Sequence, residues 1–211
     1  MTEPAPVTGC GKKRTIRNLV LDLAAYVVIP VITILFVRGS NWFTTNFSVL
    51  GNRPQRQNDF AFWGLVVGVY FFTILEIIAG YLTRRPRGIW FVPLALVLLT
   101  CAITTPYLPE VFPFKSFLHV VFAFLSAVCL AAFLGLLVWR LFRTEPVQFG
   151  LYQAGLLLIF MGSGLLLALA GIISSALEIF FTISMSVFCR RLERKLGRLW
   201  GTGQSLPEKY H

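Results

Sequence analysis

From Phe149 to Cys189 the chain carries a single charge, Glu178. One helix over that stretch would run about 60 Å, twice the ~30 Å hydrocarbon core of a bilayer. The chain must therefore cross, turn and cross again. Gly171 followed by Ser174 and Ser175 is the expected turn; a turn at Gly162-Ser163-Gly164 would leave the first of the two helices too short to cross.

Four further apolar runs precede this one. The six expected spans are about 19–37, 60–82, 89–108, 117–139, 149–170 and 172–189, flanked by basic tails at 1–18 and 190–211, the latter expected to be disordered after Gly197. Hydrophobic residues make up 56% of the 211 positions and charged residues 13%, about half the share of a soluble domain. The mean hydropathy is +0.74. The expected fold is all-α: a single-domain, polytopic bundle of six transmembrane helices.

Charge sets the orientation. With both termini cytoplasmic, fifteen of the 19 Lys and Arg residues fall in inner segments. Only Arg38, Arg53, Arg56 and Lys115 fall in outer loops, and none lies inside a span. That is the positive-inside pattern, and it explains the net charge of +10 without nucleic acid as a partner. A five-span chain would export the basic C-terminal tail. Trp42, Trp63, Trp90 and Trp139 lie near span ends, where interfacial aromatics are expected. Of the cysteines, Cys10 is in the N-terminal tail, Cys101 and Cys129 are within spans and Cys189 is at a span end, so no outer-loop disulfide is expected. The first apolar run has the length of a span, not of a cleavable leader.

Small residues suggest where helices approach. Ala123, Ala127, Ala131 and Gly135 repeat at i, i+4 along span four and are expected to form a packing groove, open to a neighbouring helix or a second membrane protein. The single Gly64/Gly68 pair in span two is a weaker signal of the same kind.

Ionisable groups within spans are costly and mark function or a paired structural role. There are four: Asp22, Glu76, His119 and Glu178. Asp22 lies less than a turn from the inner end, where Arg17 or a basic loop can neutralise it, and Glu76 lies in the inner half of span two. These two form a candidate inner polar site. His119 and Glu178 lie at similar outer depths, where the first outer loop can add Asn46, Ser48 and Asp59, with Gly51 letting the loop turn tightly over the bundle. Either cluster suits proton handling or gripping a polar headgroup. With two histidines, one of them His211, the chain lacks the ligands of a catalytic zinc site. No metal and no cofactor is expected. A nucleophilic arrangement of Ser48 and His119 with Asp59 or Glu178 is a further alternative, but a loop serine is too common to carry it alone. The sequon Asn46-Phe47-Ser48 lies close to the membrane, which disfavours glycosylation.

The stretch Asn46-Phe47-Ser48-Val49-Leu50-Gly51, a Ser-x-Leu-Gly signature after the first span, resembles the DRAM-like and Frag/Sfk-type six-helix membrane proteins and their bacterial relatives. His119 at the outer start of span four, followed by Ala123, is similar to a feature of that family. The resemblance implies a lipid-linked role. Together these readings favour a protein that binds membrane lipid, or modulates a lipid-linked process, through an outward-facing polar site in the cell membrane. The alternatives are a small proton-coupled transporter or channel using Asp22, Glu76, His119 and Glu178 as a path, and a scaffold that holds a partner helix in the span-four groove.

Overall fold

The computed structural model describes residues 8–82, 85–86 and 88–201, and of residues 8–14, 200 and 201 the backbone alone. Arg84, Arg87, Lys209 and His211, and the side chains of Cys10, Lys12, Lys13 and Arg14, lie outside the described residues. Among the described residues all regular structure is helical.

The first long helix has three parts. α1 (Thr8–Leu23) runs into a π turn (Ala24–Val28) and continues as α2 (Ile29–Phe36). Pro30 supplies the reason for the turn. It lacks an N–H and its ring crowds the carbonyl four residues back. Widening the preceding turn relieves both. α3 (Phe47–Gly51) is a single turn and a half in the first loop, and α4 (Gln57–Gly80), α5 (Phe91–Thr104), α6 (Pro113–Thr144), α7 (Pro146–Ala170) and α8 (Ser175–Gly201) follow. Among the described residues, four helical stretches are long and apolar enough to cross a membrane: Thr15–Phe36, Gln57–Gly80, Pro113–Thr144 and Pro146–Ala170. Many large apolar side chains on them face outward, Leu65, Leu136 and Leu158 among them. An outward apolar face suits lipid as solvent, and the chain is a membrane-embedded helical protein.

Two elements depart from the expected spans. α5 has 14 residues and stops at Thr105, whose extended backbone precedes Pro106. A residue before proline is driven out of the helical region, so the run expected to reach Leu108 ends earlier. At the other end of the chain, residues 190–201 are not a detached tail. They continue α8 without a break, because Met185, Cys189, Leu192 and Leu196 keep one buried face at helical spacing.

Successive long helices pack side by side, and α8 closes the ring by contacting α2 as well as α4. α7 ends at Gly171, a left-handed residue with φ +68° that needs no Cβ tolerance. Helices approach closely at Gly64 and Gly68 on α4, and at Gly162 on α7, where a Cβ would sit 2.8 Å from Phe180 Cζ. A Cβ on Gly64 would sit 2.2 Å from Ile103 Cδ1, and one on Gly68 would sit 3.0 Å from Leu96 Cδ1, so α5 lies directly on these glycines. Ala123, Ala127, Ala131 and Gly135 are only half-buried, and a Cβ on Gly135 would meet nothing within 4 Å. α6 instead buries Leu130, Phe133, Leu134, Leu137 and Val138. Trp63 is likewise not interfacial. It is buried in an aromatic cluster with Phe36, Phe47 and Phe60 and donates its Nε1–H to Thr33 Oγ1 at 3.0 Å.

Candidate functional site

The end of the bundle expected to face outward is organised by α3. Asn46 has extended backbone and caps the helix, its Oδ1 accepting the Val49 N–H at 2.8 Å. The Phe47 N–H, a second orphan donor of this first turn, donates to Glu178 Oε2 at 2.7 Å. The loop before α3 returns the favour to α8. Ser175 N–H and Ala176 N–H donate to the carbonyls of Thr45 and Trp42 at 2.7 and 2.8 Å. The two helix starts thus satisfy each other's loose polar groups, which a membrane-facing loop requires.

Ser48 follows Phe47 and points to a different helix. Its Oγ lies 2.6 Å from His119 Nε2 on α6. The other ring nitrogen, Nδ1, lies 2.8 Å from the carbonyl oxygen of Thr105. A carbonyl only accepts, so Nδ1 carries the ring proton and the Ser48 hydroxyl donates to Nε2. His119 is 2% exposed, between the rings of Tyr107 and Phe60, whose centroids lie 5.6 and 6.4 Å from its own. A pocket of about 310 Å³ opens on the pair. Its lining mixes apolar residues, Phe60, Ala61 and Ile103 among them, with polar ones, Asn52, Gln57 and Asn58 among them.

The expected outer site is therefore divided. Ser48 and His119 meet and share the pocket with Gly51. Glu178 and Asn46 bind the α3 backbone instead and do not touch the histidine ring, and Asp59 is exposed in the first turn of α4, away from the pocket lining. Gly51 has no positive φ and turns nothing. It permits contact: a Cβ there would lie 2.5 Å from Phe60 Cγ and 2.8 Å from Phe60 Cβ. The ring orienter expected at Asp59 or Glu178 is a main-chain carbonyl.

The expected inner pair does not form either. Glu76 is partly exposed and faces Arg85 at 3.9 Å. Asp22 belongs to a different cluster. Arg190 is 0% exposed and gives its Nε–H to Asp22 Oδ1 at 2.7 Å, its Nη2–H to the Asn18 carbonyl at 3.0 Å and its Nη1–H to Glu193 Oε2. Arg194 binds the second Asp22 oxygen. Arg17, the expected partner of Asp22, instead donates to the Tyr81 hydroxyl at 3.1 Å, which in turn donates to Glu193 Oε1 at 3.0 Å. A buried cation needs this many acceptors to offset its lost hydration. Arg190 and Glu193 were missed because a run of basic residues begins at Arg190. Leu192 and Leu196, continuing the apolar face from Cys189, are the signal that the helix goes on into the bundle.

Fold and site together define a membrane-embedded helical bundle with a polar pocket at one end and a buried ion network at the other. The chain matches no protein-family model, no curated protein and no solved structure.

Proposed function

We propose that the chain is a six-span protein of the cell membrane, both termini cytoplasmic, that holds the polar headgroup of a membrane lipid in the outer pocket. The observation that carries this reading is the pocket of about 310 Å³ lined by the hydrogen-bonded Ser48–His119 pair together with apolar residues and amides. Its size falls at the small end of ligand sites, and its mixed lining suits a molecule with a tail and a headgroup. The distribution of basic residues supports the orientation, and the resemblance to DRAM-like and Frag/Sfk-type proteins supports a lipid-linked role. The proton-path alternative gains no support, since Asp22 is saturated by arginine and fully buried Ile74, Ile78 and Leu134 occupy the core.

Native mass spectrometry in mild detergent tests the proposal. Ala61→Trp fills the pocket without touching the Ser48–His119 bond. The wild type should retain a lipid that the variant loses; a wild type that retains none, or a variant that retains the same lipid, overturns the reading.

A further inference from the structure

We infer that Ser48 is a nucleophile activated by His119, and that the pocket transfers an acyl group from an ester lipid through an acyl-Ser48 intermediate. The inference rests on the headgroup-binding reading and adds chemistry to it.

The direction of the hydrogen bonds is the first ground. A general base must present a lone pair to the nucleophile's proton and must be held in that tautomer by a third group. His119 meets both conditions. Nε2 faces Ser48 Oγ at 2.6 Å, and Nδ1–H is fixed on the Thr105 carbonyl at 2.8 Å. The carbonyl takes the place of a triad carboxylate. Thr105 caps α5, so its oxygen lies at the negative end of that helix's dipole. Thr105 is itself anchored, its N–H and its Oγ1–H both donating to the Cys101 carbonyl, at 3.1 and 2.7 Å.

The second ground is the space beside the pair. A hydrogen bond that merely ties α3 to α6 needs no cavity. Here the pocket lining includes both Ser48 and His119. Ser48 sits on a helical turn pinned at its start by the Asn46 cap and by Glu178, which act as positioning residues. Such fixing of the nucleophile contributes the orientation that acyl transfer needs.

The third ground selects the substrate. An ester of a glycerolipid lies where tail meets headgroup. The pocket lining offers both kinds of contact such a boundary needs, apolar from Phe60, Ala61 and Ile103 and polar from Asn52, Gln57 and Asn58. In the first step Ser48 Oγ bonds to the ester carbonyl carbon while its proton passes to His119 Nε2. The carbon–oxygen bond to the alcohol then breaks, and the departing oxygen takes that proton. Water, or an acceptor hydroxyl, next attacks the acyl carbon and gives its proton to Nε2. Ser48 Oγ leaves with that proton, releasing the acid or the new ester.

An alkyl fluorophosphonate tests the nucleophile, because Ser48 Oγ would bond to phosphorus and expel fluoride. The purified full chain is treated in mild detergent and its peptides are read by mass spectrometry. The expected result is an adduct on Ser48, abolished by Ser48→Ala and slowed at least ~100-fold by His119→Gln, the loss expected without a general base. The glutamine retains an amide N–H for Thr105 and an oxygen for Ser48, and thermal unfolding reports whether the variant folds. p-Nitrophenyl octanoate should give a burst of one nitrophenol per protein and an octanoyl group on Ser48. Native mass spectra of the same wild-type sample separate the two readings. Retained lipid with no adduct on Ser48 overturns the nucleophile and leaves headgroup binding standing. An adduct on Ser48 without retained lipid upholds the nucleophile and defeats the binding reading. An adduct formed equally fast by a folded His119→Gln overturns the role of the histidine, and with it the inference.

Discussion

The main-chain N–H of Phe47 donates to the side-chain Oε2 of Glu178 at 2.7 Å, across 131 residues of chain. Glu178, the lone charge of the long apolar stretch, is therefore the clamp that fixes α3 and sets Ser48, the next residue, against His119.

Removing that clamp should loosen the outer end. Glu178→Ala is expected to cost about 1–3 kcal/mol, the penalty for a buried donor left without its partner. Glu178→Gln, which keeps an acceptor oxygen, should cost less. Thermal unfolding in detergent measures both, and equal melting of wild type and alanine variant would show that the clamp carries no weight.

The inner network predicts a larger effect. Arg190→Met leaves Asp22 and Glu193 without their shared guanidinium, and breaking a buried pair in this way costs about 3–5 kcal/mol. The variant should lose most of its monodisperse peak in size-exclusion chromatography. Asp22→Asn should be milder, since Arg190 keeps Glu193 and the Asn18 carbonyl.

Two glycines should respond in opposite directions to the same substitution. Gly51→Ala drives a Cβ into the Cβ and Cγ of Phe60, atoms too close to the backbone to swing away, and overpacking of this kind costs about 1–3 kcal/mol. Gly135→Ala meets nothing within 4 Å and should gain roughly 0.5–1 kcal/mol of helix preference. The same melting assay reads both, and a stable Gly51→Ala would mean that α3 does not press on α4.

Topology is open to labelling. Thr44→Cys lies in the exposed first loop and should react with a membrane-impermeant maleimide in intact cells. Val147→Cys, at a position 98% exposed in the first turn of α7, should react only after permeabilisation. Both variants are made with Cys10 and Cys101 replaced by serine; Cys129 and Cys189 are buried and leave a low background. The reverse pattern would invert the orientation.

The helical class was legible because hydropathy is a local property: runs such as Phe60–Gly80 announce themselves without reference to any other segment. Ser48 and His119 were legible as candidates because a polar loop and a lone histidine stand out against apolar neighbours. Their orienting partner was not, since the Thr105 carbonyl belongs to the backbone and leaves no mark in the side-chain code. Packing glycines were misjudged for a related reason. Four small residues on α6 repeat more regularly than the two on α4, yet which face meets a neighbour depends on helix rotation, and α5 lies on Gly64 and Gly68. The Arg190 cluster was hidden by its own charge, which in sequence reads as the edge of the membrane.

The Asp22–Arg190 bond also sets an order in time. Its two residues are 168 positions apart, which at about 5–20 residues per second separates their synthesis by on the order of ten to thirty seconds. During that interval Asp22 lacks both of the guanidinium groups, Arg190 and Arg194, that bind it in the finished bundle. The bundle locks only when α8 arrives, so a nascent chain halted before that point is marked as unfinished by its own unmatched charge.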